Sequence, residues 1–256
     1  MVFITGDIHG DPSRLGMNSF YEQKSFDKDK QEDNTVIILG DFGIVWDKEE
    51  SKNEKYWLDW LESKPFTTVF VDGNHDNFNR LYQFPVKEWN GGKVHELRPH
   101  VLHLIRGEIF IIEGKKFFCM GGASSHDIKD GILEEDNWRD EAKKLDKQGK
   151  YMYRIRNLSW WDLELPTKEE LAHGREVLKK YNNEADYILT HSPSTSELAL
   201  MGALIGGLYK TDYLTDYLDD IIAETDFKTH FYGHMHVNKV LNPTNVCLYE
   251  QILRIV

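Results

Sequence analysis

The sequence predicts an α/β fold with a sheet core and a second sheet packed against the first. Two observations carry this. Short apolar, β-branched runs that end abruptly in Gly, Asp, Asn or His alternate with segments of helical spacing, the signature of strands feeding functional loops between helices. In mid-chain and again near the end, closely spaced strand-like runs separated by turn residues point to antiparallel pairing.

Taken in order, residues 2–5, 36–39 and 69–71 read as buried strands, with a helix over 54–62 whose Trp57, Leu58, Trp60 and Leu61 share one face. Trp57 and Trp60 are expected in the core. Runs at 101–105, 108–112 and 115–120, with Arg106-Gly107 and Glu113-Gly114 between them, predict an antiparallel meander. The charge-dense stretch 134–150 predicts a solvated helix, and 151–161, rich in aromatics and arginine, a lid or a packed surface segment. A helix over 168–181, strands at 187–190 and 230–232, and a hairpin from 239–241 into 246–253 complete the pattern. No linker or repeat divides the chain, so a single domain over residues 1–256 is expected.

Composition narrows the function. At 40% hydrophobic and 29% charged residues, the chain can bury a core and is neither disordered nor collagenous. A formal net charge of −12 repels polyanions, which disfavours non-specific nucleic-acid binding but does not exclude a local cationic site. Cys119 and Cys247 are too few for a disulfide framework or a thiolate zinc site, so a reducing compartment is expected. The opening Met1 to Thr5 meets Gly6-Asp7 without a signal-peptide pattern, and no apolar run approaches the ~18 residues that span a bilayer. The expected location is the cytoplasm, with no membrane partner.

Chemistry concentrates in fragments far apart in sequence: Gly6-Asp7-Ile8-His9-Gly10, Gly40-Asp41-Phe42-Gly43, Gly73-Asn74-His75-Asp76, Thr190-His191-Ser192 and Gly233-His234-Met235-His236. Each follows an apolar strand, which places oxygen and imidazole donors on loops where open α/β sheets build their sites. Carboxylate, amide oxygen and imidazole together suit Mn, Fe, Zn, Ni or Co. The donors outnumber what one ion needs, and a carboxylate can bridge two, so a dinuclear site is expected.

These fragments, in this order, resemble the calcineurin-like metallophosphoesterase superfamily: aspartate-x-histidine, glycine-aspartate, glycine-asparagine-histidine, a lone histidine, then glycine-histidine-x-histidine. The resemblance spans Asp7 to His236. It implies two mixed β-sheets flanked by helices, a four-layer α-β-β-α sandwich. It also implies that Asp7, His9 and His236 hold one divalent metal ion, Asn74, His191 and His234 a second, and that Asp41 bridges them, with Mn the first choice. His75 would protonate the leaving oxygen or stabilise developing charge, and Asp76 would orient it. The implied reaction is in-line attack on phosphorus by a hydroxide between the ions, without a phosphoenzyme.

The second fragment departs from the Gly-Asp-x-x-Asp-Arg-Gly of relatives that dephosphorylate proteins or cleave dinucleoside tetraphosphates; here it runs Gly40-Asp41-Phe42-Gly43-Ile44-Val45-Trp46. Those substrates are not expected. A substitute phosphate clamp could come from Arg14, Arg80, Arg139, Arg154 or Arg156, each more simply a surface residue. The run 121–127 could supply backbone donors or the imidazole of His126, though a glycine turn explains it as well. His95, His100, His103, His173 and His230 read as packed or surface residues. Of Trp160-Trp161, one could border the cleft. Ser192 is rejected as a nucleophile, because a metal-bound His191 cannot serve as its base. The expected activity is a phosphodiesterase or broad-specificity phosphatase; the alternatives are a metal-binding scaffold for a protein partner and a metal-dependent nuclease.

Overall fold

The computed structural model describes residues 1–256. Strands β1 (Val2–Thr5), β2 (Thr35–Leu39), β3 (Thr67–Val71), β4 (Val86–Trp89), β5 (Gly92–Arg98) and β6 (Val101–Leu104) belong to one sheet. Strands β7 (Ile109–Ile112), β8 (Lys115–Met120), β11 (Tyr187–Thr190), β12 (Thr229–Tyr232), β13 (Lys239–Asn242) and β14 (Asn245–Cys247) form the other, and β15 (Leu253–Arg254) returns to the first. The short β9 (Gly131–Leu133) and β10 (Tyr153–Ile155) pair apart from both. The first sheet runs β15-β1-β2-β3-β6-β5-β4, with β1, β2, β3 and β6 parallel and β4, β5 and β15 antiparallel to their neighbours. The second runs β13-β14-β12-β11-β8-β7, parallel at its centre and antiparallel at both edges.

Period-two alternation decides what each sheet face meets. Val2 and Ile4 of β1, Ile37 and Leu39 of β2, and Val69 and Val71 of β3 point into a shared core with Phe117 and Cys119 of β8, Leu189 of β11 and Phe231 of β12. The alternate residues Phe3, Val36, Ile38 and Phe70 face outward and bury Leu58 and Leu61 of helix α1 (Lys52–Glu62). Helix α2 (Phe78–Leu81) and helix α3 (Trp138–Asp146) are short. On the far side, Phe118, Met120 and Ile188 pack against helix α4 (Lys168–Lys180) and helix α6 (Tyr213–Glu224), while helix α5 (Thr195–Ile205) precedes α6. The result is the expected helix, sheet, sheet, helix order, with two mixed sheets face to face. Trp57 and Trp60 lie at the edge of their core, partly buried and edge-on to one another.

Two pairing expectations are corrected. The meander does not form: β6 pairs with β3 and β5 in the first sheet, whereas β7 and β8 make a hairpin in the second. Arg106-Gly107 is the crossing between sheets. Arg106 is fully buried there, donating from Nε to Asp72 Oδ2 at 2.8 Å, and His103 Nε2 lies 2.9 Å from Asp72 Oδ1. An ionic anchor of this kind is invisible to a hydrophobic pattern. At the end of the chain, β13 and β14 form the expected hairpin, but residues 248–252 leave it and β15 pairs with β1. The charge-dense stretch does form a solvated helix, α3, whose one buried residue is Ala142.

Candidate metal centre

Each chemical fragment sits just past the carboxyl end of a parallel strand: Asp7 and His9 after β1, Asp41 after β2, Asn74 to Asp76 after β3, His191 after β11, His234 and His236 after β12. Both sheets therefore contribute to one site, at the edge where ligands bind in open α/β folds. Donor atoms of Asp7, His9, Asp41 and His236 lie within 4.8 Å of one another, and so do those of Asp41, His191 and His234. Asp41 is common to both groups.

The backbone is bent to achieve this. His9 (φ 46°), Asp41 (φ 45°), His234 (φ 64°) and His236 (φ 49°) are all left-handed, a conformation that side chains other than glycine rarely adopt and that clusters at functional sites. The carbonyl of Asp41 accepts from the N–H of Ile8 at 3.3 Å and of His9 at 2.8 Å, tying the first two loops together. Glycine is required beside them: a Cβ on Gly73 would lie 2.2 Å from Asp41 Oδ1, and one on Gly233 the same 2.2 Å from Asp7 Oδ1. Gly73→Ala is expected to displace Asp41 and weaken manganese binding about 10- to 100-fold, as loss of a group that orients a ligand does, with circular dichroism unchanged. Equilibrium dialysis against Mn measures it.

Asp7, Asp41, Asn74 and His191 are buried, while His9 and His236 line the mouth. His191 Nδ1 donates to the carbonyl of Leu39 at 2.7 Å, so that the ring, once neutral, presents its lone pair on Nε2, 3.2 Å from Asp41 Oδ1 and 3.2 Å from His234 Nδ1. His9 Nε2 and His236 Nε2 stand 2.9 Å apart, and His236 Nε2 is 3.2 Å from Asp7 Oδ2. Asp7 is held in turn by the N–H of His234, at 3.0 Å to Oδ1. Asn74 donates from Nδ2 to Ser125 Oγ at 3.5 Å, and its Oδ1 is buried with no hydrogen-bond partner.

Electrostatics agree with a site built for positive charge. Burial disfavours the charged form of His191, yet Asp41 and Asp7 outweigh it and hold the imidazole up at about 10. The Asp41 carboxyl, despite its burial, is held well below the usual range by His191 and the other imidazoles. Burial pushes His9 and His234 down, and hydrogen bonding to Asp7 raises His236. Facing ring nitrogens, two buried carboxylates and an orphaned amide oxygen form a donor set that divalent cations would satisfy, displacing the proton that Asp41 and Asp7 otherwise hold on His191.

Residues 1–238 match the model of a family described as calcineurin-like phosphoesterase. The chain belongs to that family. Membership implies divalent metal ions, which the donor set fits. A lariat debranching enzyme of Danio rerio is 24% identical in an alignment covering 63% of this chain and 28% of the relative, so the chain spans under a third of that relative's length.

Around the candidate metal centre of this calcineurin-like phosphoesterase, several side chains make contacts other than the expected ones. Asp76 does not touch the His75 ring: its oxygens accept from the N–H of Gly43 at 2.9 Å and of Gly73 at 2.8 Å, pinning the second and third loops. Burial and then the charge of Asp41 push this carboxyl up to about 7. His75 instead stacks on Trp46, ring centroids 5.8 Å apart, and its Nε2 lies 3.0 Å from Nη2 of Arg154. Because a guanidinium only donates, that nitrogen carries a lone pair and the ring is neutral. Burial lowers His75 to about 4, and Arg154 adds to the drop against the pull of Asp41.

Of the other candidate arginines, Arg14 donates to the carbonyls of Tyr249 and Asp7, Arg80 pairs with Glu54, Arg156 with Glu134 and Asp162, and Arg139 lies over Trp138. His126 does reach the site, its ring 4.5 Å from that of His234. Trp161 is buried edge-on to Trp46, while Trp160 lies under Arg156, so neither faces the cleft directly. His95, His103 and His230 are buried in hydrogen-bond networks, and His100 and His173 pair with Glu62 and Glu108.

Proposed function

We propose that the chain is a dinuclear, metal-dependent phosphoester hydrolase acting on small phosphorylated substrates, as a phosphodiesterase or a broad-specificity phosphatase. The observation that carries this reading is Asp41, buried and common to two donor groups, with Oδ1 3.2 Å from His191 Nε2 in one and Oδ2 3.7 Å from His9 Nε2 in the other. One group is Asp7, His9 and His236; the other is His191 and His234 with Asn74 Oδ1. When bound, a pair of divalent cations would shield phosphoryl charge and lower the pKa of water toward ~7, with Mn the first choice.

The chain's own residues do the rest. Leu39 fixes the His191 tautomer through its carbonyl, and the N–H of His234 fixes Asp7. Asp76 holds the loops that carry Asp41 and Asn74. His75, at the boundary between a cavity lined by Asp41, Asn74 and Arg154 and a second one lined by His9, Gly43 and Trp46, is placed to steady or protonate a leaving oxygen. Its neutral state here means that the acid role requires a proton, which substrate negative charge would favour.

A second reading, a metal-dependent nuclease, is supported by the similarity to a lariat debranching enzyme; the net charge of −12 weighs against it for long polyanions. The reading includes a single domain over residues 1–256, supported by the core that the two sheets share, and a reducing, cytoplasmic setting, supported by two buried free cysteines. The test is hydrolysis of an aryl phosphate, its bis-aryl diester and short oligonucleotides after chelation and Mn addition. Mn-dependent turnover of either aryl substrate is expected. Turnover of oligonucleotides alone would favour the nuclease, and none with any would leave a metal-binding scaffold.

A further inference from the structure

The family fragment that supplies a phosphate-gripping arginine in some relatives lacks one here, since Asp41 is followed by Phe42-Gly43-Ile44-Val45-Trp46. The structure brings a guanidinium to the site from elsewhere. Arg154 lies on β10, in a small parallel pair with β9 that is not part of either large sheet. Its side chain is 11% exposed. Nε donates to Asp127 Oδ1 at 2.6 Å, Nη1 to the carbonyl of Ser159 at 2.9 Å, and Nη2 to His75 Nε2 at 3.0 Å. A guanidinium has five N–H donors. These bonds occupy one on each nitrogen, leaving one on Nη1 and one on Nη2.

That geometry differs from a surface ion pair in three ways. The arginine lines a cavity of about 220 Å³ together with Asp41, Asn74, His126, His234 and His236. Its fork is fixed on one side by the chain, so little side-chain freedom is lost when an anion arrives. Its third contact is a neutral imidazole, a weaker acceptor than a phosphoryl oxygen. Asp127, 49% exposed, keeps the fork aimed without screening it fully, because water reaches the carboxylate more than the guanidinium.

We propose that Arg154 grips the non-bridging phosphoryl oxygens of the substrate, that Asp127 is its positioning residue, and that together they favour a terminal, dianionic phosphate over a diester. The inference rests on the hydrolase reading above. It bears on the choice that reading leaves open between a phosphodiesterase and a phosphatase. A dianion offers two charges and three equivalent oxygens to a fork with free donors; a diester offers one charge and two.

The test uses full-length, Mn-loaded protein, comparing wild type with Arg154→Ala, Arg154→Lys and Asp127→Asn. Arg154→Ala is expected to lower kcat/KM for the aryl phosphate about 10- to 100-fold, the range for losing a hydrogen bond to a charged group, and for the bis-aryl diester by several-fold less. Inorganic phosphate, titrated calorimetrically, should weaken by the same factor, with Mn content unchanged. Arg154→Lys should recover part of the phosphate affinity, and Asp127→Asn should raise KM for the monoester more than it lowers kcat. Equal losses on both esters, unchanged phosphate affinity, or loss of Mn from Arg154→Ala would each overturn the proposal. If wild type turns over neither ester, the hydrolase reading fails, and the phosphate titration still decides whether Arg154 binds the anion.

Discussion

Asp41→Asn is expected to lose both ions together, lowering Mn affinity by more than the 10- to 100-fold typical of residues behind the ligands, with activity falling in parallel. The substitution keeps shape and removes one negative charge from a position buried to 1% exposure. Asp41 is common to both donor groups and lies 3.2 Å from His191 Nε2 and 3.7 Å from His9 Nε2, so no other carboxylate can replace it on both sides. Its Oδ1 also accepts from the N–H of His75 at 2.8 Å, and an amide nitrogen turned to that position would meet a donor. Metal analysis after dialysis, paired with rate, checks this. Loss of only one ion, or full rate with both lost, contradicts a shared bridge.

His75→Ala is expected to behave oppositely: Mn content stays at the wild-type level while kcat falls about 10²- to 10⁴-fold, the range for a positioned acid or base. His75 belongs to neither donor group, and its ring faces Trp46 and Arg154. The loss should grow as the leaving group becomes more basic, because an aryl oxide departs without a proton and an alkoxide does not. A rate deficit independent of leaving group would assign His75 to charge stabilisation or to holding Arg154, and full activity would remove it from the reaction.

The convergence of the candidate metal ligands was legible because these residues carry two signals at once, a donor side chain and a strand ending immediately before it. Glycine at positions 73 and 233 adds a third, which the structure explains as the only residue that leaves room for Asp41 and Asp7. Strands β1 and β11 fall where apolar runs of four residues predict them. Pairing was less legible. Alternation tells which face of a strand is buried, not which strand lies beside it, so β6 and β7 were joined across Arg106-Gly107 where the chain in fact changes sheets. The β4–β5 hairpin has a usable signal in Asn90-Gly91, both at positive φ.

The surroundings of the site were the least legible part. Arg154 follows no glycine and ends no long strand; it reaches His75, 79 residues earlier, through a three-residue strand that pairs only with β9. Nothing distinguishes it in sequence from Arg156, whose side chain turns outward to Glu134 and Asp162. Asp76 was expected to serve the adjacent ring, but neighbours in sequence on a tight loop point apart, and two nearby backbone N–H groups take up its oxygens.

In the proposed hydrolase these distant loops hold two ions around one carboxylate. Anomalous diffraction at the manganese edge, from crystals of chelated protein soaked in Mn, addresses it directly. Two peaks are expected, one among Asp7, His9 and His236 and one among Asn74, His191 and His234, with Asp41 between them. An empty site at saturating Mn, or a lone peak away from Asp41, would rule out a pair of ions bridged by this carboxylate.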